Sequence, residues 1–390
     1  MAITGVDFTE SCGKLRDGII FNVTKILFCK TEYLGFKKYI CVQCGNAKSV
    51  AFTCKGRFCS SCGKKQTDRW ISKTTNVLPK TRWQHITFTM PDSLWPIFWF
   101  NRFLFGLISS IAAGIIQELA AKKNIIVGIF TALHTFGRDL KRNVHIHLSV
   151  TCGGIDKNDT WHNVYFPSEV IKRMWRHRII DLFRNEYKQG NLTLPIHYSA
   201  ESDFNKWMRE LYEIKWYVYL QTPSDNHKRN IEYLGRYIKR PPISEARIEK
   251  YNGNEVTFKF LDHYNNTIDH ITMSVFEFIA SIIRHIPDRN FRMIRYYGFL
   301  SNRTRGKMLP LVYKAIKQDV PKVIKVIGWR LMIWLSCKKD PLSCPNCDIP
   351  MQLRKVYYGL SPPPILRTVL WRNYSVVTEC VKNIKYFFCF

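Results

Sequence analysis

Two short cysteine pairs constrain this chain more than any other pattern in it. Cys41-Val42-Gln43-Cys44-Gly45 and Cys59-Ser60-Ser61-Cys62-Gly63 each set two thiols three residues apart with a glycine behind them. That is the shape of a zinc knuckle, in which a tight turn points backbone amides at the metal-bound thiolates. On this reading Cys41, Cys44, Cys59 and Cys62 close one tetrahedral zinc site, leaving Cys29 and Cys54 for a second or shared site or for packing. Seven of the thirteen cysteines fall between Cys12 and Cys62, so they are concentrated as in a metal module rather than scattered as core thiols. Asp7, Glu10, Lys14 and Arg16 interrupt any apolar run near the start, so no secretory signal is expected. A reducing cytoplasm and free thiols are therefore expected, not a disulfide framework. Further on, Cys344-Pro345-Asn346-Cys347 is a lone CxxC with Cys337 upstream and no fourth ligand in its neighbourhood; a remnant knuckle and a plain turn are equal readings of it.

The charge points to a polyanionic partner. Lys and Arg number 59 against 30 Asp and Glu, a formal charge of +29 that exceeds what solubility requires. With 46% hydrophobic and 14% aromatic residues the chain has material for a real core, which excludes a disordered basic tail. Nucleic acid is the expected partner and a membrane is not. The longest apolar stretch, Phe103 to Ile116, is shorter than a span and is bounded by Arg102 and Glu118, so it reads as a buried helix.

Periodicity lays out the rest. Trp83 to Pro91 alternates as a strand ended by proline. Ile125 to Phe136 and Val144 to Val150 read as strands joined through a basic turn, hence a hairpin. Helices are expected over 168–187 and 200–212, a strand over 214–220, and a helix over roughly 225–239 stopped by Pro241-Pro242. A strand pair at 256–263 and 267–273 leads to a helix from Val275 to His285. Because hairpins and not βαβ units dominate, the expected class is α+β with an antiparallel sheet.

Two of these segments carry chemistry. On a strand, His145-Ile146-His147 puts both imidazoles on one face, where they offer two neutral nitrogen ligands. A third ligand must come from a neighbouring strand; His134 and His85 are both candidates, and Asp139, in the basic turn, is a weaker one. Tyr233 and Tyr237, four apart in the helical segment, put two phenols on one side. A phenol with a pKa near 10 is a poor nucleophile at neutral pH, so a tyrosine that cuts DNA needs the phosphate polarised, which a divalent cation does. Lys239 and Arg240 follow immediately and offset phosphate charge. Arg292, Arg295, Tyr296, Tyr297, Arg303, Arg305 and Lys307 interleave cations with rings, the combination that single-stranded DNA uses for phosphate contact and base stacking. Taken alone, an HxH strand or a spaced tyrosine pair is more often packing than catalysis; their coincidence with a zinc module and a basic chain shifts the balance.

His134-Thr135-Phe136-Gly137-Arg138-Asp139-Leu140 followed by Val144-His145-Ile146-His147-Leu148-Ser149-Val150 resembles the central motif of the two-tyrosine rolling-circle insertion-sequence transposases of the HUH superfamily. Glu232-Tyr233-Leu234-Gly235-Arg236-Tyr237 resembles their tyrosine motif, and Phe291 to Arg303 the basic aromatic block that follows it. The Cys41 to Cys62 segment, with the strand from His85 to Pro91 behind it, is similar to their amino-terminal zinc-binding domain. The resemblance implies an HUH nuclease core in which His145 and His147 bind Mg²⁺ or Mn²⁺ and Tyr233 and Tyr237 form 5′-phosphotyrosine links to single-stranded DNA. The substrates it implies are insertion-sequence ends and target DNA, and the compartment is the cytoplasm, at the nucleoid. It further implies residues 1–82 as a zinc-binding recognition domain, 83–315 as the catalytic domain and 316–390 as a basic carboxyl-terminal region. A replication initiator or relaxase of the same superfamily would share the chemistry, and the zinc module favours the transposase. The other alternative is an inactive zinc-dependent DNA-binding descendant, against which stand the intact histidines and tyrosines. One departure concerns the zinc domain, whose family histidines are replaced here by the neighbourhoods Gly35-Phe36-Lys37 and Arg57-Phe58-Cys59; Phe58 cannot ligate zinc, so the expectation is either fewer metals than in the relatives or one held by thiolates only.

Overall fold

The computed structural model describes residues 16–226, 231–232, 235, 241–262, 265–321 and 328–359. In chain order, helix α1 (Asp17–Leu27) leads into strands β1 (Gly35–Ile40) and β2 (Ala47–Ala51) and helix α2 (Ser60–Val77). Strand β3 (Trp83–Thr89), helices α3 (Trp95–Phe100) and α4 (Leu104–Ala121), and strands β4 (Ile126–Phe136), β5 (Arg142–Ile155) and β6 (Trp161–Asn163) follow. Next come α5 (Ser168–Lys188), α6 (Glu201–Glu213), β7 (Val218–Leu220), β8 (Ile248–Tyr251), β9 (Glu255–Asp262), β10 (Thr267–Ser274) and α7 (Val275–Ile283). The last described elements are β11 (Ile294–Gly298), α8 (Arg305–Ala315), α9 (Trp329–Cys337) and β12 (Gln352–Tyr358). Every strand pair is antiparallel, as expected for an α+β chain built from hairpins.

Two compact units result. One gathers the described residues of Trp70–Ile238 and Arg292–Lys322, the other those of Met1–Arg69, Lys239–Phe291 and Val323–Phe390. Neither unit is continuous in sequence: β12 pairs with β1 across some three hundred residues of chain, and β11 pairs with the distant β4. Such pairings of distant strands leave no local trace in composition.

The first unit is organised by a sheet of order β11-β4-β5-β3-β7, with β6 paired to β5. Ten of the eleven residues of β4 are buried, so the strand reads as a continuous apolar run because both its faces are covered. On one face lie α4, through Leu104, Phe105, Ile108, Ala112, Ile115 and Ile116, and α5, whose Ile171, Trp175, Ile179 and Phe183 recur at helical spacing. Trp175 packs with its ring centroid 5.0 Å from that of Phe88, tilted by 57°, and its indole N–H donates to the Thr89 carbonyl at 2.6 Å. Burial of each such side chain contributes roughly 1.5–3 kcal/mol. The opposite face is covered by a cluster of Leu78, Trp83, Phe130, Ile231, Phe299, Leu309, Val312 and Tyr313.

Several elements differ from the periodicity reading, among them β5, which runs from Arg142 to Ile155 and not only from Val144 to Val150. The apolar helix runs on to Ala121, which makes it long and apolar enough to cross a membrane by length and composition; half of it is buried, against β4 and β5. The strand expected over 214–220 begins only at Val218, because Trp216 turns back and donates its indole N–H to the Leu211 carbonyl at the end of α6. The basic aromatic block contains β11, ended at Gly298 with φ +60°, where a Cβ would lie 1.8 Å from the Val127 carbonyl oxygen.

The second unit holds two three-stranded sheets, β12-β1-β2 and β10-β9-β8. Ser274 caps α7 by a reciprocal bond pair with Glu277, which ends β10 and starts the helix in one residue. Arg16, at the start of α1, pairs with Asp288 and donates to the Ile286 carbonyl at 2.9 Å.

Candidate metal centres

The pairing register decides which histidines meet. His147 lies opposite Ala132 of β4 and Thr87 of β3, and His145 opposite His134 and Thr89. Because side chains alternate, His85, His134, His145 and His147 all stand on the sheet face that carries Phe130 and Trp83. All four are buried, between 3% and 9% exposed, in a position where an apolar residue would be the ordinary occupant.

Within this group the open choice of third partner resolves by geometry. His134 Nδ1 is 3.0 Å from His145 Nε2, which is 3.2 Å from His147 Nε2, and these three nitrogens lie within 4.8 Å of one another. His85 stands behind them, its Nε2 3.1 Å from the far nitrogen, Nδ1, of His147, with the Thr87 hydroxyl 3.2 Å from the same Nε2. On the other side His145 Nδ1 faces the Asn143 carbonyl at 2.9 Å, a bond that it can make only as the donor. That tautomer leaves the Nε2 lone pair of His145 pointing into the group. Asp139 is engaged elsewhere, accepting from the Lys141 amide at 3.1 Å in the β4–β5 turn.

Burial disfavours the protonated form of His85, His145 and His147. It pushes His85 and His145 down to about 4, with a bond to the Leu148 backbone resisting for His85 and one to Asn143 for His145. Burial first, and then the charges of His145 and His85, hold His147 well below the usual range. Three neutral nitrogens converging in one buried spot are a ligand set for a divalent cation, and the 3.0 and 3.2 Å separations match the roughly 3.0 Å edge of an octahedron with bonds of about 2.1 Å.

The cysteines form two groups and not the one site expected. Cys29, Cys54, Cys59 and Cys62 converge, all four buried, with Cys29 Sγ 3.6 Å from Cys62 Sγ and 3.7 Å from Cys59 Sγ. Cys29 follows α1, Cys54 follows β2, and Cys59 and Cys62 open α2, so the group ties together three elements that share little core. The Cys54 amide donates to Cys29 Sγ at 3.4 Å and the Gly56 amide to Cys54 Sγ at 3.3 Å, as knuckle amides do. Cys41 and Cys44 stand apart from this group, with Cys344 and Cys347. The spacing rule paired the two amino-terminal CxxC motifs with each other because they are neighbours in sequence; β1–β12 pairing brings the distant third motif closer.

The remaining expected residues separate. Tyr233, Tyr237, Lys239 and Arg240 lie outside the described residues. Ile231 and Glu232, just ahead of Tyr233, and Gly235 between the two tyrosines are helical, and Ile231 is buried in the cluster on the histidine face. In β11, Tyr296 lies opposite Phe130, accepts from the Trp70 indole N–H at 3.1 Å and packs, partly buried, against that cluster. Tyr297 and Arg295 alternate to the other face, where Arg295 comes near Gly106 of α4. Arg292 and Arg303 are exposed and Arg305 is half-buried.

With this geometry in place, comparison with known proteins is informative. A family model described as "Putative transposase" matches residues 128–307, and one described as "Transposase zinc-binding domain" matches residues 4–90. The chain is 39% identical over 355 residues to the transposase for insertion sequence element IS801 of Pseudomonas savastanoi pv. phaseolicola, covering 90% of this chain and 86% of that protein. It is 28% identical over 312 residues to a protein of Sinorhizobium fredii described as "Putative transposase y4qJ", covering 77% and 78%. No solved structure matches.

Proposed function

From a chain that belongs to the IS91 family of insertion-sequence transposases, with that family's zinc-binding domain at its amino terminus, we propose a metal-dependent tyrosine nuclease that nicks and rejoins single-stranded DNA at the element's ends. The observation that carries this reading is the convergence of His134 Nδ1, His145 Nε2 and His147 Nε2 on one buried sheet face.

His134, His145 and His147 would hold Mg²⁺ or Mn²⁺, which when bound polarises the scissile phosphate and stabilises the leaving oxygen. His85 and Asn143 are positioning residues: each engages the nitrogen of a neighbour that faces away from the group, which fixes ring orientation and tautomer. Tyr233 and Tyr237 are the nucleophiles in this reading. Support comes from Ile231, two residues ahead of Tyr233, which packs on the face that bears the histidines. The phenol gives up its proton as its oxygen bonds to phosphorus, the bond from phosphorus to the 3′ oxygen breaks, and that oxygen takes up one proton and leaves as a hydroxyl, so no net proton is gained or lost. The phosphodiester energy is retained in the phosphotyrosine, so rejoining by a 3′-hydroxyl needs no ATP. Two phenols allow one strand end to be held while another is cut.

Cys29, Cys54, Cys59 and Cys62 fit a tetrahedral thiolate site for Zn²⁺: their sulfur separations of 3.6 and 3.7 Å match the roughly 3.8 Å edge set by bonds of about 2.3 Å. Exposed Arg292 and Arg303, with Lys239 and Arg240, are the cations assigned to DNA phosphates.

The test is nicking of end-labelled single-stranded and duplex forms of the element's ends, with Mg²⁺ or Mn²⁺, by the wild-type protein and by His134→Ala and His145→Ala variants. Nicking of the single strand that falls at least a hundredfold in both variants is expected. Undiminished nicking by both would remove the histidine group from the reaction.

A further inference from the structure

We propose that Cys41, Cys44, Cys344 and Cys347 hold a second zinc ion, one that clasps the carboxyl-terminal strand β12 onto the amino-terminal β1–β2 hairpin. The zinc-binding family match ends at residue 90, so half of this ligand set lies far outside it. The inference deepens the zinc reading above and is independent of the tyrosine chemistry.

Four observations carry it. The sulfurs lie within 4.8 Å of one another, and Cys44 Sγ is 3.6 Å from Cys344 Sγ, too long for the roughly 2.0 Å of a disulfide and close to a zinc tetrahedron's edge. The two CxxC segments, different in their inner residues, fold into the same turn. The Cys41 amide donates to the Asn46 carbonyl at 2.8 Å and the Gly45 amide to the Cys41 carbonyl at 3.0 Å. The Cys344 amide donates to the Ile349 carbonyl at 2.9 Å and the Asp348 amide to the Cys344 carbonyl at 2.9 Å. In both, the residue after the second cysteine is left-handed, Gly45 at φ +71° and Asp348 at +54°. Glycine and aspartate are both residues that adopt this conformation readily, and the Ser343 hydroxyl holds Asp348 there by donating to its carbonyl at 3.0 Å.

The third observation is exposure. Packing explains buried thiols, but Cys44 is exposed and Cys347 half-buried, so apolar burial does not account for their facing two buried cysteines. The fourth is the size of the core beneath them: among the described residues Tyr39, Cys41, Leu342, Cys344 and Met351 are buried, with Val50, Trp329, Cys347 and Ile349 partly buried against them. Three of these nine are the cysteines themselves, and cores this small gain from a metal or other staple. The β1–β12 register, from Gly35 opposite Tyr358 to Ile40 opposite Gln352, leads directly into both turns. The site is thus complete only once residue 347 has been synthesised.

The test uses the full-length protein purified with zinc. Each cysteine's rate of alkylation is followed by mass spectrometry before and after a zinc chelator, and bound zinc is measured for the wild type and for a Cys344→Ser/Cys347→Ser variant. The expected result is that Cys44 and Cys347 resist alkylation despite their exposure, and that chelation speeds their reaction at least tenfold. The double variant should lose one zinc per chain while Cys29, Cys54, Cys59 and Cys62 stay protected. Rapid alkylation of Cys44 and Cys347 in zinc-loaded wild type, with the other four protected, would overturn the clasp and leave the first site standing. Equal reactivity of all eight thiols with and without chelator would overturn both sites.

Discussion

Acid should destabilise this fold through its histidine group by an amount the structure sets. His145 is buried and pushed down to about 4, against an ordinary 6.5 in an unfolded chain. Between those two values the unfolded chain binds a proton that the folded protein excludes, so stability falls as pH falls through this window. Above pH 7 both states are neutral and the effect vanishes; below 4 both are charged and the loss is complete, at about 3 kcal/mol. At pH 5, about 2 kcal/mol of that has been lost. The assay is urea unfolding in magnesium- and manganese-free buffer at pH 7 and pH 5, followed by the fluorescence of Trp83 and Trp175, both buried in the sheet unit. In His145→Asn the fall in stability from pH 7 to pH 5 should be smaller than in the wild type by about 2 kcal/mol. An equal fall in both proteins would refute the claim that burial keeps this imidazole neutral, and with it the argument that the group waits as a set of lone pairs.

Other outcomes follow from single contacts. His85→Gln should weaken Mn²⁺ binding about 10- to 100-fold, measured by calorimetry, because His85 orients His147 through Nδ1 without joining the three converging nitrogens. Affinity unchanged in that variant would place His85 outside the site. Gly298→Ala should destabilise the sheet unit by more than about 1 kcal/mol, since φ is +60° and the new methyl would meet the Val127 carbonyl at 1.8 Å; an unaltered melting temperature would contradict this. Trp70→Phe, which removes the donor to the Tyr296 hydroxyl inside the cluster, should cost about 1–3 kcal/mol and leave DNA affinity unchanged. A loss of DNA affinity at full stability would return Tyr296 to the binding surface.

How much was legible in the sequence varied with the range of the interaction. Period-two alternation gave β3 and β4 to within two residues and located β5, which runs on past the expected Val150 to Ile155, and helical spacing gave α5 and α6, because these signals are local. The HxH pair was legible for the same reason: both histidines sit on one strand. Its third partner was not, since choosing His134 over His85 depends on the register of β4 and β3 against β5, which places His134 directly opposite His145. The surroundings of Tyr296 were not legible, because a basic aromatic block looks alike whether its rings face solvent or, as here, meet Phe130 and Trp70. The pairing of cysteines failed most completely, and for a physical reason: Cys344 and Cys347 meet Cys41 and Cys44 through a strand pairing that spans nearly the whole chain. Neighbouring motifs in sequence were assigned to one site, and the sheet assigned them to two.

The covalent intermediate tests the central claim most directly. Wild-type protein, incubated with labelled single-stranded DNA carrying the element's end and Mg²⁺ or Mn²⁺, should give a protein–DNA adduct that survives a denaturing gel, with the DNA mapping by mass spectrometry to Tyr233 or Tyr237. The Tyr233→Phe/Tyr237→Phe double variant should give none. An adduct that persists in the double variant, or nicking by the wild type with no adduct at any time, would contradict tyrosine-linked strand transfer.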